Sequence, residues 1–171
     1  MLDITPYEQC INQVHPAMIQ KVILVESNNN PFAINVNTKA GKVPTYKRPK
    51  TKHDAIRLAN YYIKRGHSVD LGYMQVNSLN LKHYGVTISD MFNPCKNIAV
   101  GSTILYEAYQ RAIKTTKNPQ LALRHALSVY NTGNMNRGFK NGYVQKYTKI
   151  NIKPQSIHTS NVTISTDDLY Q

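Results

Sequence analysis

The chain has no apolar run long enough to cross a membrane. The longest, Val22 to Val25, has four residues, against the roughly 20 that a helical span needs. Acidic residues are scarce, with nine Asp and Glu against 21 Lys and Arg. Cysteine is limited to Cys10 and Cys95, and there is no CxxC, HExxH or Cys/His cluster, so neither a structural nor a catalytic metal site is expected. Glycine and proline, eight of each in 171 residues, are near average, which excludes collagen-like and low-complexity chains. What remains is a globular mix, 41% hydrophobic and 18% charged. A chain of this size makes one domain and buries roughly 70% of its unfolded surface, enough to fold without metals or staples. Met1 runs directly into Leu2-Asp3-Ile4-Thr5-Pro6 without the apolar core of a secretory leader. That fits either a cytosolic chain or a mature form whose leader has been removed.

The shortage of acid leaves a formal net charge of +12 and a sequence pI near 9.7. Such a surplus favours an anionic partner: nucleic acid, an acidic membrane face, or an anionic polymer such as a bacterial cell wall. No nucleic-acid reading motif accompanies it. The basic residues are scattered except between Lys39 and Lys52, where Lys39, Lys42, Lys47, Arg48, Lys50 and Lys52 crowd one loop-like segment. A solvated loop is the plain reading of that crowding. The two cysteines are open to two readings, separate buried thiols or one long-range disulfide worth roughly 4–5 kcal/mol in the chain-entropy picture.

Helical signals dominate. Pro16 at a first-turn position opens a helix over Ala17 to Glu26. Thr51 with Asp54 three residues on resembles a capping box before Ala55 to Arg65, and Gly66 supplies the stop. Asn93-Pro94 starts a long helix to about Lys117, Asn118-Pro119 another over Gln120 to Tyr130, and a short last one carries Tyr143, Val144, Tyr147 and Ile150. Strand signal is thin: Phe32 to Asn37 and Gly72 to Asn77 read as short strands or extended loops. The expected class is mainly α (α+β) with a small β element. Residues 1–150 form the body, and 151–171, rich in Ser, Thr and Asn, read as a tail.

Glu26 is the most informative residue. On a helical wheel, Met18, Ile19, Val22, Ile23 and Val25 define one apolar arc, and Glu26 falls near its centre, away from Gln20 and Lys21. A carboxylate on a core-facing stripe must be paired, protonated or functional, because desolvation penalises its charge and raises its pKa. A raised pKa is what a general acid for a poor leaving group needs. Ser27-Asn28-Asn29-Asn30-Pro31 then breaks the helix, a common setting for a cleft. Two more segments, Asp70 to Ser78 and Ser128 to Asn134, are rich in amides and hydroxyls, which suit sugar recognition but also ordinary turns.

Their order carries more than any one of them. Val25-Glu26-Ser27, then Gly72-Tyr73-Met74-Gln75-Val76-Asn77, then Val129-Tyr130-Asn131-Thr132-Gly133 resemble the E-S, G-L-M-Q and A-Y-N-x-G signatures of soluble-type (family 1) lytic transglycosylases of the goose-lysozyme-like superfamily. The likeness covers about Glu8 to Ile150, with Tyr73 in place of the commoner Leu and Val129 in place of Ala. Cys10, ahead of Glu26, and Asn93-Pro94-Cys95, beyond the Gly72–Asn77 motif, resemble most the subgroup that accompanies type IV secretion and conjugation machines. The resemblance implies a Cys10–Cys95 disulfide, a lysozyme-like domain, and a periplasmic location with the signal peptide removed. It implies no cofactor, no metal, no membrane span and no nucleic-acid partner.

The implied activity is cleavage of peptidoglycan glycan strands at the β-1,4 bond between N-acetylmuramic acid and N-acetylglucosamine, yielding a 1,6-anhydro product. The implied purpose is local opening of the cell wall for a secretion or conjugation apparatus. Glu26 is the implied acid and base. Ser27, Tyr73, Met74, Gln75, Asn77, Tyr130, Asn131 and Tyr143 are the implied substrate-binding residues. Gln75 and Asn131 would hold N-acetyl groups, and Tyr130 would orient Glu26 or a sugar ring. Asp70 is expected to order the turn into Gly72. A lysozyme-type hydrolase and a catalytically weak peptidoglycan-binding component are the alternatives; the hydrolase would need a second carboxylate or help from its substrate.

Overall fold

The computed structural model describes residues 2–38 and 44–150. The expected tail, 151–171, and the basic residues Lys39 and Lys42 lie outside the described residues. The chain divides into two compact units, one made of Met1–Val25 with Ser102–Gln171 and the other of Glu26–Gly101. Helices α1 (Pro16–Ser27) and α3 (Pro94–Thr116) each continue in sequence across this division. The expected class is found: helices predominate, beside one three-stranded antiparallel sheet.

In the first unit, α1 begins where proline costs nothing, since a first-turn N–H has no intrahelical partner. His15 closes that turn, accepting from Ala17 N at its Nδ1 (3.1 Å) and from Met18 N at its carbonyl (2.9 Å). Every residue from Pro16 to Ile23 is buried. The helical wheel sets Gln20 and Lys21 on the side away from the core, yet Lys21 is only 1% exposed and Gln20 donates from Nε2 to the Leu2 carbonyl at 3.0 Å. A wheel separates faces only when one of them meets water, and this helix is packed on all sides.

Helix α4 (Pro119–Thr132) follows the expected start: Asn118 Oδ1 accepts from Leu121 N at 3.0 Å. It ends at Gly133, whose φ of 69° places it in the left-handed region. Its buried side chains Ala122, Leu123, Ala126 and Leu127 recur at helical spacing. Burying each large apolar residue of this kind contributes about 1.5–3 kcal/mol. Short helices α5 (Arg137–Lys140) and α6 (Tyr143–Thr148) pack against α4, and α6 buries Tyr143, Val144 and Tyr147.

In the second unit, α2 (Lys52–Ile63) is capped as expected, with Thr51 Oγ1 accepting from Asp54 N at 3.1 Å and donating to Asp54 Oδ2 at 2.9 Å. Strands β1 (Ile34–Asn37), β2 (Ser68–Leu71) and β3 (Val76–Asn77) pair antiparallel in that order. Val36, Val69, Leu71 and Val76 turn to the core, leaving Asn35, Asn37, Asp70 and Asn77 on the other face. Gly72 to Asn77 is not one strand. Gly72 and Gln75 have φ of 72° and 50°, and Gln75 N donates to the Gly72 carbonyl at 3.2 Å, so four residues turn before β3 begins.

Candidate active site

The second unit brings the first two motifs into one fold. Glu26 is half-buried in the last turn of α1. The helix stops there because Asn28 and Asn29 take left-handed φ of 49° and 63°, a conformation asparagine tolerates better than most residues. Asn30 N returns to the Ser27 carbonyl at 3.1 Å, and Asn30 Oδ1 accepts from Phe32 N at 2.9 Å. Asn29 Oδ1, three residues beyond Glu26, is buried and makes no hydrogen bond among the described residues.

The loop after Glu26 is tied to the second motif through the Ala33 carbonyl. Gly72 N donates to it at 2.9 Å and Gln75 Nε2 at 3.2 Å, while Gln75 Nε2 also reaches the Gly72 carbonyl at 2.9 Å. The carboxamide nitrogen of Gln75 is thus committed to the turn. Its Oε1 makes no hydrogen bond among the described residues and is the atom left to meet an N–H or O–H donor.

The other expected binding residues are placed as follows. Met74 is fully buried, and a Cβ added at Gly101 would lie 2.7 Å from its Cβ, so Met74 packs the turn onto α3 and does not line a groove. Tyr73 is buried as well. Asn77 donates from Nδ2 to Asp70 Oδ1 at 2.6 Å and accepts from Leu79 N at 3.0 Å, which occupies both ends of its amide. In the first unit, Tyr130 is half-buried and Asn131 exposed at the end of α4, with Asn131 Oδ1 accepting from Asn141 Nδ2 at 3.1 Å. Tyr143 is buried, its hydroxyl 2.6 Å from that of Tyr147, which makes it a core residue of α6. Met74, Tyr73 and Tyr143 are thus buried and the Asn77 amide is engaged at both ends, placements that the motifs, which mark residue type and order, do not specify.

Asp70 has a defined structural role. Its Oδ2 accepts from Asn35 Nδ2 (3.2 Å) and Asn37 Nδ2 (2.9 Å), and its Oδ1 from Asn77 Nδ2. Asn35 and Asn77 are its direct cross-strand neighbours, so one carboxylate clamps all three strands on the open face of the sheet.

Two supporting residues escaped the sequence reading. Asn97, fully buried on α3, accepts from Met74 N at 2.7 Å and donates to the carbonyls of Leu71 (2.8 Å) and Met91 (3.0 Å). It braces the Gly72–Gln75 turn, and a Cβ at Gly72 would collide with both Asn97 and the Met91 carbonyl. Ser128, also fully buried, donates to the Asn134 carbonyl (2.5 Å) and accepts from Gly138 N (2.8 Å), holding the loop after the third motif. The only available signal was a polar residue at a core-spaced helical position.

Cys10 and Cys95 are both disulfide-bonded, as the resemblance implied. Among the described residues no group of three or more His, Cys, Asp or Glu could hold a metal ion. No described helix is long and apolar enough to cross a membrane.

A helical body with a small antiparallel sheet, and a half-buried carboxyl where the first helix breaks, fit the lysozyme-like fold class. Residues 4–153 match the family described as Transglycosylase SLT domain, and the chain belongs to that family. It is 40% identical over 145 residues to the type IV secretion system protein virB1 of Brucella abortus (strain 2308), a match covering 81% of this chain and 59% of the relative. The same figures hold for the Brucella suis biovar 1 protein. Protein virB1 of Agrobacterium fabrum is 33% identical over 138 residues, covering 81% of this chain and 54% of that protein. The chain therefore spans less than two thirds of the length of these relatives. No solved structure matches it.

Proposed function

We propose that the protein is a peptidoglycan lytic transglycosylase that works in the periplasm and opens the cell wall for a type IV secretion or conjugation machine. The family and the secretion-system relatives support the setting. The observation that carries the chemistry is the position of the first motif's carboxyl, Glu26, where α1 breaks. Asp70 accepts three amide hydrogen bonds and is committed to the sheet. Glu26 is half-buried in the last turn of α1, where the left-handed Asn28 and Asn29 end the helix. Of the two, Glu26 is the candidate for the reaction.

In the proposed mechanism, protonated Glu26 donates to the glycosidic oxygen as the bond from that oxygen to muramoyl C1 breaks. The 6-hydroxyl of the same muramoyl residue then bonds to C1 and returns its proton to Glu26. No water is consumed and the enzyme ends as it began. The intramolecular hydroxyl prevails because effective molarities of well-oriented groups reach about 10⁵ M or more. In the second unit, the Gln75 carboxamide oxygen would hold an N-acetyl group. Purified sacculi digested with the protein should release muropeptides ending in 1,6-anhydro-N-acetylmuramic acid, each one water lighter than its reducing-end counterpart. Reducing-end products alone would show hydrolysis and overturn the proposal.

A further inference from the structure

A cavity of about 480 Å³, within the usual size of a small-ligand site, opens in the second unit between residues 47–50 and the exposed side of α2. Lys47, Arg48 and Lys50 line one wall, all exposed, and none of them is in an ion pair among the described residues. The single carboxylate in the lining, Asp54, is already taken by Arg57 Nη2 at 3.1 Å and by the Thr51 cap. The rest of the wall is apolar: Pro49, Leu58 and the half-exposed ring of Tyr61, whose outer face is covered by the Arg65 guanidinium at 3.5 Å. None of the residues assigned to cleavage belongs to this cavity.

Three unneutralised cations around a finite, half-apolar groove select a short ligand with several free carboxylates and small apolar side chains. A nucleic-acid backbone is bound by a basic stripe that tracks many phosphates and goes with a recognisable reading motif, and the sequence has no such motif. The sugar backbone of peptidoglycan carries no free carboxylate where its lactyl groups are amidated, so its negative charge lies on the peptide stems. We propose that the Lys47–Tyr61 groove binds the carboxylates of a peptide stem, so that the protein selects strands whose stems carry free carboxylates. This rests on the peptidoglycan reading above and adds the part of the polymer that is recognised.

A synthetic stem tetrapeptide with free carboxylates, titrated into isotopically labelled protein, should shift backbone amides of residues 47–61. The shifts should be absent with a carboxamidated tetrapeptide and in the Lys47→Gln/Arg48→Gln/Lys50→Gln variant. They should weaken as salt rises, since the charges are exposed. With glycan strands as substrate, that variant should raise KM for peptide-bearing strands about tenfold, the combined effect of three exposed charges. Its kcat and KM on strands whose stem carboxylates have been converted to carboxamides should not change. Amide shifts elsewhere or none at all, equal binding of the carboxamidated peptide, a DNA oligonucleotide that binds the groove where the tetrapeptide does not, or an equal KM rise on both substrates would each overturn the proposal. If the wild type cleaves neither substrate, the enzymatic reading fails while the peptide titration still decides the groove.

Discussion

Replacing Asn97 with alanine should unfold the second unit's active turn more readily than any change at its exposed polar residues. The side chain is fully buried and makes three hydrogen bonds to backbone groups from two separate stretches, Leu71 with Met74 and Met91. Its removal leaves the Met74 N–H unsatisfied, at about 1–3 kcal/mol, and takes one bond of about 1 kcal/mol from each carbonyl. The total is about 3–5 kcal/mol. With a urea m-value of about 2 kcal/mol/M, the midpoint should fall by about 2 M, and Tm by about 10 °C.

Asn97→Asp sharpens the test. At neutral pH it keeps an acceptor for Met74 N but sets a charged oxygen against the Leu71 and Met91 carbonyls. Burial beside those carbonyls raises the folded-state pKa of the new carboxyl above its unfolded value. The variant's stability should therefore be highest at acid pH and decline as pH rises through the folded pKa, relative to wild type. Urea melts followed by circular dichroism between pH 4 and 8 measure both. An alanine variant whose midpoint stays within about 0.3 M of wild type, or an aspartate variant as stable as wild type at pH 7, would refute the bracing role.

Three further outcomes are expected. Glu26→Gln should fold as wild type while its kcat on purified sacculi falls at least 10²-fold, about the scale of a general acid; turnover near wild type would remove Glu26 from the chemistry. Reducing the Cys10–Cys95 bond, or replacing both with serine, should lower stability by up to the roughly 4–5 kcal/mol of the chain-entropy picture and by at least about 2 kcal/mol, read from melts with and without reductant, and an unchanged melt would refute that constraint. Burial, followed by the nearby Tyr62, raises the pKa of Tyr46, whose hydroxyl donates to the Ile34 carbonyl at 2.7 Å. The stability it contributes is present below pH 10 and lost as pH rises through the folded pKa, so Tyr46→Phe should flatten the alkaline fall measured between pH 9 and 11, and parallel curves would contradict it.

The sequence by itself determined the signals that act over a few residues. Pro16, Thr51 and Asn118 start helices where the structure has them, because a cap or a missing N–H is satisfied within one turn. The three ordered motifs placed the chain in its family, since residue type and order need no coordinates. Only the tertiary structure decided what depends on packing between distant segments. It buried Gln20 and Lys21 on a helix enclosed on every side, and it turned Met74 and Tyr143 into the core. The Gly72–Gln75 turn shows why: Gly72 reads equally well as a strand residue, and Asn97, some two dozen positions on, supplies the bonds that hold it as a turn. Asp70 is the same case in the sheet. Its chemistry as a free carboxylate was open until antiparallel register set Asn35 and Asn77 on either side of it, and register is a property of paired strands that no single strand contains.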